Sequence, residues 1–512
     1  MKARIALALS LALAAVSPLR MLAAITDPVK TSDGKLSGVT LASGVRAFKG
    51  IPFAAPPIGN LRWKQPQPPE PWKGVRKADA FGNVCVQNPA PKRVPNNIAT
   101  DLPDSPKMSE DCLYLNVWTS ANRASAKLPV MFWIYGGAYT EGAGSSPHND
   151  GEALARKGVV LVTFNYRLGA FGFFSHPELT KESGRNASGN QALGDTLAAL
   201  QWVQHNIGAF GGDPNNVTIF GESAGSCMVA GLVGSPVAKG LFHRAISESG
   251  TWMGLGMAAM TPLAKAEQPP RPFRGGPPGA APPASDAPPA SYPPLAELRG
   301  RSTEEVQKTL RGSGMIIDGW IVPEDLSITF AQGKQNPVDV IVGSNKDEHT
   351  AMGGRIAFRD TLMWSMRLFA ERQTAIGNHA YWYFFTHEPP VEPGTRDLKA
   401  THASEIPYVF ETLSAPRTIP DTSSPRLAAA SEKDRAIADM VSSYWVNFAK
   451  TGDPNGKDLP AWAPFKNADP PHILGEINEW PGADVLNPYD EQYTKIMASL
   501  TAAQEKVEQT RP

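Results

Sequence analysis

The sequence predicts an α/β protein: a mainly parallel, doubly wound sheet flanked by helices, with a small antiparallel region near the N-terminus. Short apolar, β-branched runs alternate with helical periodicity, which is typical of parallel strands joined by helical crossovers. Several of these runs end directly before Gly-rich or polar sequence, where parallel sheets carry functional loops. A chain of 512 residues with 42% hydrophobic content can bury the core that such a sheet needs.

Residues 1–24 are predicted to be a secretory signal peptide. Lys2 and Arg4 stand before an apolar run over 5–16, and small residues follow it. The run is too short to span a bilayer, and no other stretch reaches the roughly 20 apolar residues that a spanning helix needs. We therefore expect an exported protein, periplasmic or extracellular, in which residues 25–512 form one domain.

The charge balance narrows the class of partner. Lys and Arg together number 49, as do Asp and Glu, so the formal net charge is zero. Overall charge would attract neither a nucleic acid nor an acidic membrane surface. We expect a small-molecule partner, with no nucleic acid and no stable membrane span.

The N-terminal half contains the first predicted elements. Short β-like runs and turns over 28–53 predict the antiparallel region, and the prolines over 56–71 predict an irregular surface connection. Beyond them, apolar runs of strand length precede a stretch with helical periodicity. These strands are predicted over 113–118, 130–135 and 159–165, and the helix over 193–207.

The composition changes abruptly in the second half. The run 262–294 holds 12 prolines, with Gly, Ala and Ser filling most of the rest. A packed helix cannot accommodate so many prolines, so we predict a disordered or extended surface insert. A helix is expected to begin at Ser302, where the sequence resembles a capping box. Further strands are predicted over 338–342 and 381–386, and a helix over 434–450 that Gly452 ends.

The strongest chemical signal is a serine at a predicted strand-to-helix corner. A buried strand over 217–220 is followed by Gly221, Ser223 and Gly225 in the pattern G-x-S-x-G. Glycines are needed there because a sharp elbow brings neighbouring backbone close. An apolar helix over 227–233 would point its N-terminus at the serine, as acyl transfer requires. The alternative is a serine in an ordinary turn, which the preceding strand disfavours.

A nucleophilic serine needs a base, and the base needs an orienting carboxylate. After an elbow of this kind the order is serine, acid, histidine. Asp347 and Glu348 both follow the predicted strand over 338–342 and fit the acid. His387 ends a later strand and His402 lies in a loop beyond it, and sequence order leaves both open as the base. The histidines beyond the acid are His349, His379, His387, His402 and His472.

An oxyanion intermediate needs backbone N–H donors from two places. One is the residue after the nucleophile, Ala224, and the other is a Gly-rich loop after an earlier strand. Gly136, Gly137 and Ala138 directly follow the predicted strand over 130–135 and meet that requirement.

These motifs together resemble the type-B carboxylesterase family, which includes cholinesterases, bacterial esterases and many lipases. Two stretches carry most of the resemblance, namely Phe210–Gly225, which ends in Gly-Glu-Ser-Ala-Gly, and Glu110–Asn116. The resemblance covers most of 28–480 and implies an α/β-hydrolase fold. Further matching stretches are Ala47–Pro57, Asn165–Gly169 and Gly189–Asp195.

Carried over motif by motif, the resemblance implies Ser223 as nucleophile, Glu348 as acid and His402 as base. The His-x-x-Glu-Ile-x-x-Val-Phe run that begins at His402 decides against His387. No metal or cofactor is implied. The other implied features are the oxyanion donors Gly137, Ala138 and Ala224, a disulfide between Cys85 and Cys112, a buried ion pair between Arg62 and Glu110, and a supporting serine, Ser249, near the acid.

The chain departs from the family pattern in three places. Alanine stands at 138 where glycine is commoner, and the Pro-rich insert stands where relatives have helices. Glu348 and His402 are only 54 positions apart, roughly half the usual separation. We hypothesise a more open site that admits bulky acyl or alcohol groups. Aromatic residues near the motifs suggest aryl esters, although such residues also build cores: Trp133, Tyr139, Trp252 and Trp364.

The favoured function is a secreted serine ester hydrolase that forms an acyl-enzyme without metal or cofactor. One alternative is a non-catalytic binding protein on the same fold, which the presence of all three triad residues disfavours. Another is a hydrolase impaired by its shortened region over 349–401 and by the insert.

Overall fold

The structure is a computed structural model that describes residues 27–87, 107–250, 260–269, 291–348, 356–392, 399–415, 428–466 and 470–475. The predicted signal peptide and most of the Pro-rich insert, residues 270–290, lie outside these ranges. Trp252 and His349 lie outside them as well.

A large twisted sheet occupies the centre of the described chain. The strands are β1 (Val29–Lys30), β2 (Lys35–Ser37), β3 (Val39–Thr40), β4 (Arg46–Pro52), β5 (Val75–Lys77), β6 (Val84–Cys85), β7 (Met108–Ser109), β8 (Tyr114–Thr119), β9 (Leu128–Ile134), β10 (Val160–Phe164), β11 (Gly212–Glu222), β12 (Arg244–Glu248), β13 (Asp339–Asn345), β14 (Ala380–Phe385) and β15 (His472–Leu474). Every strand predicted from apolar runs is present, with ends shifted by a few residues.

Ten of these strands form one sheet in the order β15-β14-β13-β12-β11-β9-β10-β8-β4-β3. Pairing is parallel from β15 through β10, and antiparallel where β8, β4 and β3 complete the other edge. β1 pairs antiparallel with β2, which also pairs parallel with β5. The predicted mainly parallel sheet with a small antiparallel N-terminal region is confirmed.

Helices cover the sheet and connect its parallel strands. They are α1 (Glu152–Arg156), α2 (Gly169–Gly172), α3 (Pro177–Glu182), α4 (Gln191–Asn206), α5 (Ala224–Val233), α6 (Leu263–Ala266), α7 (Leu295–Gly300), α8 (Thr303–Thr309), α9 (Leu326–Ala331), α10 (Ile356–Ala375), α11 (Ile406–Val409) and α12 (Glu432–Thr451). The capping box at Ser302 is formed, and Gly452 ends α12 with a left-handed φ of 85°. None of the described helices is long and apolar enough to cross a membrane.

The central strands are buried on both faces. Every residue of β10 is buried, as is nearly all of β9, because helices lie on both sides of the sheet. Trp133 packs against Phe220 and Phe410, with ring centroids 4.8 and 5.0 Å apart. This aromatic group joins β9, β11 and the segment after α11, so the core lies directly under the strand ends that carry the site.

Both described ends of the Pro-rich stretch predicted over 262–294, residues 262–269 and 291–294, contact other parts of the chain. Leu263–Ala266 form α6, since the stretch over 263–268 contains no proline. At the other end, Tyr292 packs edge-on against Phe174 at 5.1 Å, and the Pro293 carbonyl lies 3.1 Å from Nε2 of His176. Local apolar and polar contacts therefore fix both flanks of the insert.

The buried ion pair implied by the sequence is present. Arg62 donates to both carboxylate oxygens of Glu110, from Nε at 2.8 Å and from Nη2 at 2.6 Å. Its Nη1 also lies within hydrogen-bond distance of three backbone carbonyls at the end of α7, namely those of Leu298, Arg299 and Arg301. The pair thus anchors the segment that returns from the Pro-rich insert.

Candidate active site

Ser223 lies on a sharp corner between β11 and α5. Its backbone has φ of 54° and ψ of −122°, a region that residues with a side chain rarely adopt. The flanking glycines make the corner possible because a Cβ at Gly221 would lie 2.5 Å from the Ile134 carbonyl oxygen, and one at Gly225 would lie 2.0 Å from it. The sequence therefore specifies the elbow locally, as predicted from G-x-S-x-G.

Three side chains from distant parts of the chain form one hydrogen-bonded row. Oγ of Ser223 is 2.8 Å from Nε2 of His402, and Nδ1 of His402 is 2.6 Å from Oε2 of Glu348. Glu348 is fully buried, whereas Ser223 and His402 are half-buried. A solvent-reachable hydroxyl thus faces an imidazole that a buried carboxylate orients.

The structure separates the two candidate acids, which are neighbours in the chain. Glu348 points to His402, and its Oε1 accepts a hydrogen bond from the Asn345 N–H at 2.9 Å. Asp347 instead binds the loop that carries the histidine: its N–H donates to the Ala400 carbonyl at 2.9 Å, and its Oδ2 accepts from the Ala400 N–H at 3.2 Å. Asp347 is placed to hold the loop rather than to touch the imidazole.

The other described histidines lie away from Ser223. Nε2 of His387 is 2.8 Å from Oδ1 of Asp434, at the start of α12. His379 is exposed beside Asp339, and His472 stacks against Trp462. Only His402, among the described histidines beyond the acid, therefore contacts the serine.

The Gly-rich loop after β9 packs directly against the elbow. A Cβ on Gly136 would lie 2.7 Å from the Glu222 carbonyl and 3.0 Å from Cβ of Ser223. Gly137 and Ala138 follow with left-handed φ values of 102° and 51°. No N–H of Gly137, Ala138 or Ala224 donates to another group in the described part of the chain. The three N–H groups belong to the two segments that meet at the elbow, and Ala138 is exposed.

A second buried carboxylate, that of Glu222, lies close to His402. Oε1 of Glu222 lies 3.1 Å from Nε2 of His402, and Glu222 is fully buried. This is a close charge contact rather than an aligned hydrogen bond, since neither carboxylate oxygen of Glu222 has a hydrogen-bond partner among the described residues. Sequence reasoning assigned Glu222 no role, although it occupies the variable position directly before the serine.

Burial and charge have opposite effects on the pKa of His402. Burial raises the pKa of the Glu222 carboxyl well above its usual range. Burial alone would lower the pKa of His402, but the carboxylates of Glu222 and Glu348 outweigh it and raise that pKa to about 10. Because the charge of each group affects the other, Glu222 and His402 titrate as a coupled pair. In its neutral form His402 can accept the proton of the Ser223 hydroxyl.

Ser249 supports the acid indirectly. Its hydroxyl donates to Oε1 of Glu405 at 3.3 Å, and Glu405 also accepts a hydrogen bond from the Asn345 side chain. Asn345 in turn donates its backbone N–H to Glu348. Burial raises the pKa of Glu405 to about 7. Glu405 stands in the His-x-x-Glu run, and this was the one sequence signal that pointed to it.

This arrangement has the parts of nucleophilic acyl transfer. A histidine contacts the serine hydroxyl, a buried carboxylate contacts the histidine, and the N–H groups of Gly137, Ala138 and Ala224 have no acceptor among the described residues. Within the described ranges, no group of three His, Cys, Asp or Glu residues is arranged to hold a metal ion.

Comparison with known proteins points to one family. A sequence model described as the carboxylesterase family matches residues 26–361 and 352–480. Fumonisin B1 esterase of Sphingopyxis macrogoltabida is 36% identical, over 87% of this chain and 86% of its own length. Para-nitrobenzyl esterase of Bacillus subtilis is 35% identical, over 83% of this chain and 90% of its own.

The fold agrees with these matches. The crystal structure of the carboxylesterase EST55 of Geobacillus stearothermophilus superposes with a TM-score of 0.69 at 30% sequence identity. The superposition covers 87% of this chain and 96% of that one. The predicted α/β-hydrolase fold and the resemblance to type-B carboxylesterases are both confirmed.

Proposed function

The chain belongs to the carboxylesterase family and is a carboxylic ester hydrolase, and we propose that it acts through an acyl-enzyme formed on Ser223. The observation that carries this proposal is the continuous row from Ser223 through His402 to Glu348, with distances of 2.8 and 2.6 Å. A serine hydroxyl is a weak nucleophile until a base accepts its proton, and this row supplies the base.

In the first half-reaction, Oγ of Ser223 attacks the ester carbonyl carbon while its proton passes to Nε2 of His402. Glu348 stabilises the imidazolium through Nδ1. The carbonyl oxygen becomes an oxyanion, which the N–H groups of Gly137, Ala138 and Ala224 receive. The tetrahedral intermediate then expels the alcohol, which takes the proton from Nε2 and leaves the acyl group on Oγ.

In the second half-reaction, a water molecule attacks the acyl carbon and gives its proton to Nε2 of His402. The same backbone donors stabilise the second oxyanion. The intermediate then releases the carboxylic acid, and Oγ of Ser223 recovers its proton from Nε2. This chemistry requires no metal ion and no cofactor.

We propose bulky or aromatic esters as the substrate class. The support is the 54-residue separation of Glu348 from His402, which limits the chain available between them to cover the site. The relative named for fumonisin B1 makes that ester a compound to include in a substrate survey. Export to the periplasm or the medium is likewise proposed, from residues 1–24 and from the Cys85–Cys112 disulfide, since such bonds persist in oxidising compartments.

Hydrolysis of p-nitrophenyl esters of increasing acyl length tests the mechanism. Wild type should release a burst of p-nitrophenol equal to the enzyme present, and Ser223→Ala should release none. Ser235→Ala is the control, since that buried hydroxyl bonds the Ile321 carbonyl and, among the described residues, no group of the row from Ser223 to Glu348. A folded wild type without turnover would replace this proposal with a non-catalytic binding protein, and an aggregated one would indicate impairment by the shortened region. A sharp fall of activity from acetate to long or aromatic esters would contradict the proposed substrate class.

A further inference from the structure

The far end of the oxyanion loop, here the segment 136–144, is held by two buried amide side chains. Nε2 of Gln87 donates to the Gly142 carbonyl at 2.9 Å, and Oε1 of Gln87 accepts from the Gly142 N–H at 2.8 Å. Asn165 accepts the Gly144 N–H at 2.9 Å through Oδ1. Gln87 and Asn165 are 4% and 5% exposed. Hydrogen bonds to two buried side chains therefore hold the backbone of the loop.

These contacts reach the backbone that faces the serine. A Cβ on Gly142 would lie 2.5 Å from the Tyr135 ring and 3.0 Å from the Gly136 carbonyl, so Gly142 packs directly beneath the start of the loop. Within the loop, the N–H groups of Thr140 and Glu141 both donate to the Gly137 carbonyl. A shift of Gly142 would thus be transmitted to the peptide units that carry the Gly137 and Ala138 N–H groups.

Both amides are tied to the disulfide-bonded segments. Gln87 stands two residues after Cys85, and its Nε2 also contacts the Cys85 carbonyl at 3.1 Å. Nδ2 of Asn165 donates to the Cys112 carbonyl at 3.2 Å and to the Asn83 carbonyl at 3.0 Å. Cys85 and Cys112 are bonded to each other. The disulfide therefore joins the two supports of the loop into one frame.

We propose that Gln87 and Asn165 are positioning residues for the oxyanion hole and that the Cys85–Cys112 disulfide anchors them. The inference rests on the proposed function, because it concerns the donors that receive the oxyanion. Preorganised donors act only when they already point at the developing charge, and a small displacement weakens the transition state more than the bound ester. Disturbing the frame should lower kcat and leave KM nearly unchanged.

Two inhibitors separate this role from a general loss of structure. Oγ of Ser223 adds to the carbonyl carbon of an alkyl trifluoromethyl ketone, and the carbonyl oxygen becomes an oxyanion in the oxyanion hole. The methyl ketone of the same alkyl chain binds largely without this addition. The ratio of their inhibition constants reports hemiketal formation and stabilisation of its oxyanion, separately from binding of the alkyl chain. Gln87→Met removes the amide at nearly constant shape. Gln335→Met is the matched control, because Gln335 is equally buried and bonds the Arg372 carbonyl away from the site.

For Gln87→Met we expect kcat per burst-titrated site to fall on the order of 10- to 100-fold, with KM within about threefold. The preference for the trifluoromethyl ketone should fall by a similar factor. Asn165→Asp keeps the acceptor for Gly144 but loses both Nδ2 donations. This variant and the double variant Cys85→Ser/Cys112→Ser should also lower the preference for the trifluoromethyl ketone. Gln335→Met should leave it unchanged.

A folded Gln87→Met enzyme with the wild-type inhibitor ratio would overturn the proposal. If Gln87→Met does not fold, Gln87→Glu decides in the same way, since it retains the size and removes the donation to the Gly142 carbonyl. Failure of the proposed mechanism would be seen separately, as trifluoromethyl ketone binding that persists in Ser223→Ala.

Discussion

Oε1 of Glu222 lies 3.1 Å from Nε2 of His402, the same nitrogen that Oγ of Ser223 meets at 2.8 Å. The imidazole is thus flanked by two buried carboxylates, Glu222 on one side and Glu348 on the other. Their charges favour the imidazolium, while burial favours a neutral Glu222. The pH dependence of the enzyme should reveal this competition.

Glu222→Gln should move the acid limb of the kcat/KM profile to lower pH. The carboxylate of Glu222 raises the pKa of His402 above its ordinary value, so its removal lowers that pKa. The base is then free of its proton at lower pH, and activity begins there. Rate measurements on a neutral ester across the pH range give the midpoint of the limb.

Glu248→Gln is the control for this experiment. Glu248 is equally buried, but its Oε1 accepts from Nε1 of Trp445 at 2.8 Å, whereas the carboxylates that raise the pKa of His402 are Glu222, Glu348 and Glu405. The acid limb of the Glu248→Gln profile should keep the wild-type midpoint. A limb that is unmoved or moved upward in Glu222→Gln would show that Glu222 carries no charge where His402 titrates.

Glu348→Gln should lower kcat by about 10³- to 10⁴-fold, since an amide cannot stabilise the imidazolium and favours the wrong tautomer. Asp347→Asn should cost far less, because Asp347 contacts the backbone of Ala400 and not the imidazole. Steady-state kinetics of the two variants distinguish the neighbouring carboxylates. A comparable loss of kcat in both variants would contradict the assignment of Glu348 as the acid that orients His402.

Gly136→Ala should lower kcat by about 100-fold. The added methyl would lie 2.7 Å from the Glu222 carbonyl and 3.0 Å from Cβ of Ser223, so the loop has to move away from the elbow. Gly208→Ala is the control, since a Cβ there meets no atom within 4 Å. Similar turnover in both alanine variants would contradict the close packing of loop and elbow.

Glu110→Gln should lower the free energy of unfolding by about 3 kcal/mol, because it leaves the Arg62 charge buried without its partner. Both side chains are 7% exposed. Glu297→Gln removes the partner of Arg301 in an exposed pair and should cost less than about 0.5 kcal/mol. Urea denaturation of the two variants gives the comparison. Equal midpoints would indicate that the returning segment over 295–303 is held by other contacts.

Local signals in the sequence determined much of this protein. The strands follow from apolar β-branched runs, α8 from the capping box at Ser302, and the end of α12 from Gly452. The elbow at Ser223 follows from two glycines that alone fit its close contacts with the Ile134 carbonyl. Each of these features depends on residues that are near one another in the chain, so the sequence alone predicts it.

The tertiary structure decided how distant residues combine. Ser223 and His402 are 179 positions apart, and sequence order left His387 as a second possible base until the family resemblance favoured His402. Only the folded sheet places His402 beside the serine and His387 on Asp434. The supports of the oxyanion loop had no sequence signal, because a buried glutamine and a buried asparagine acquire a role only through the backbone that folding brings to them.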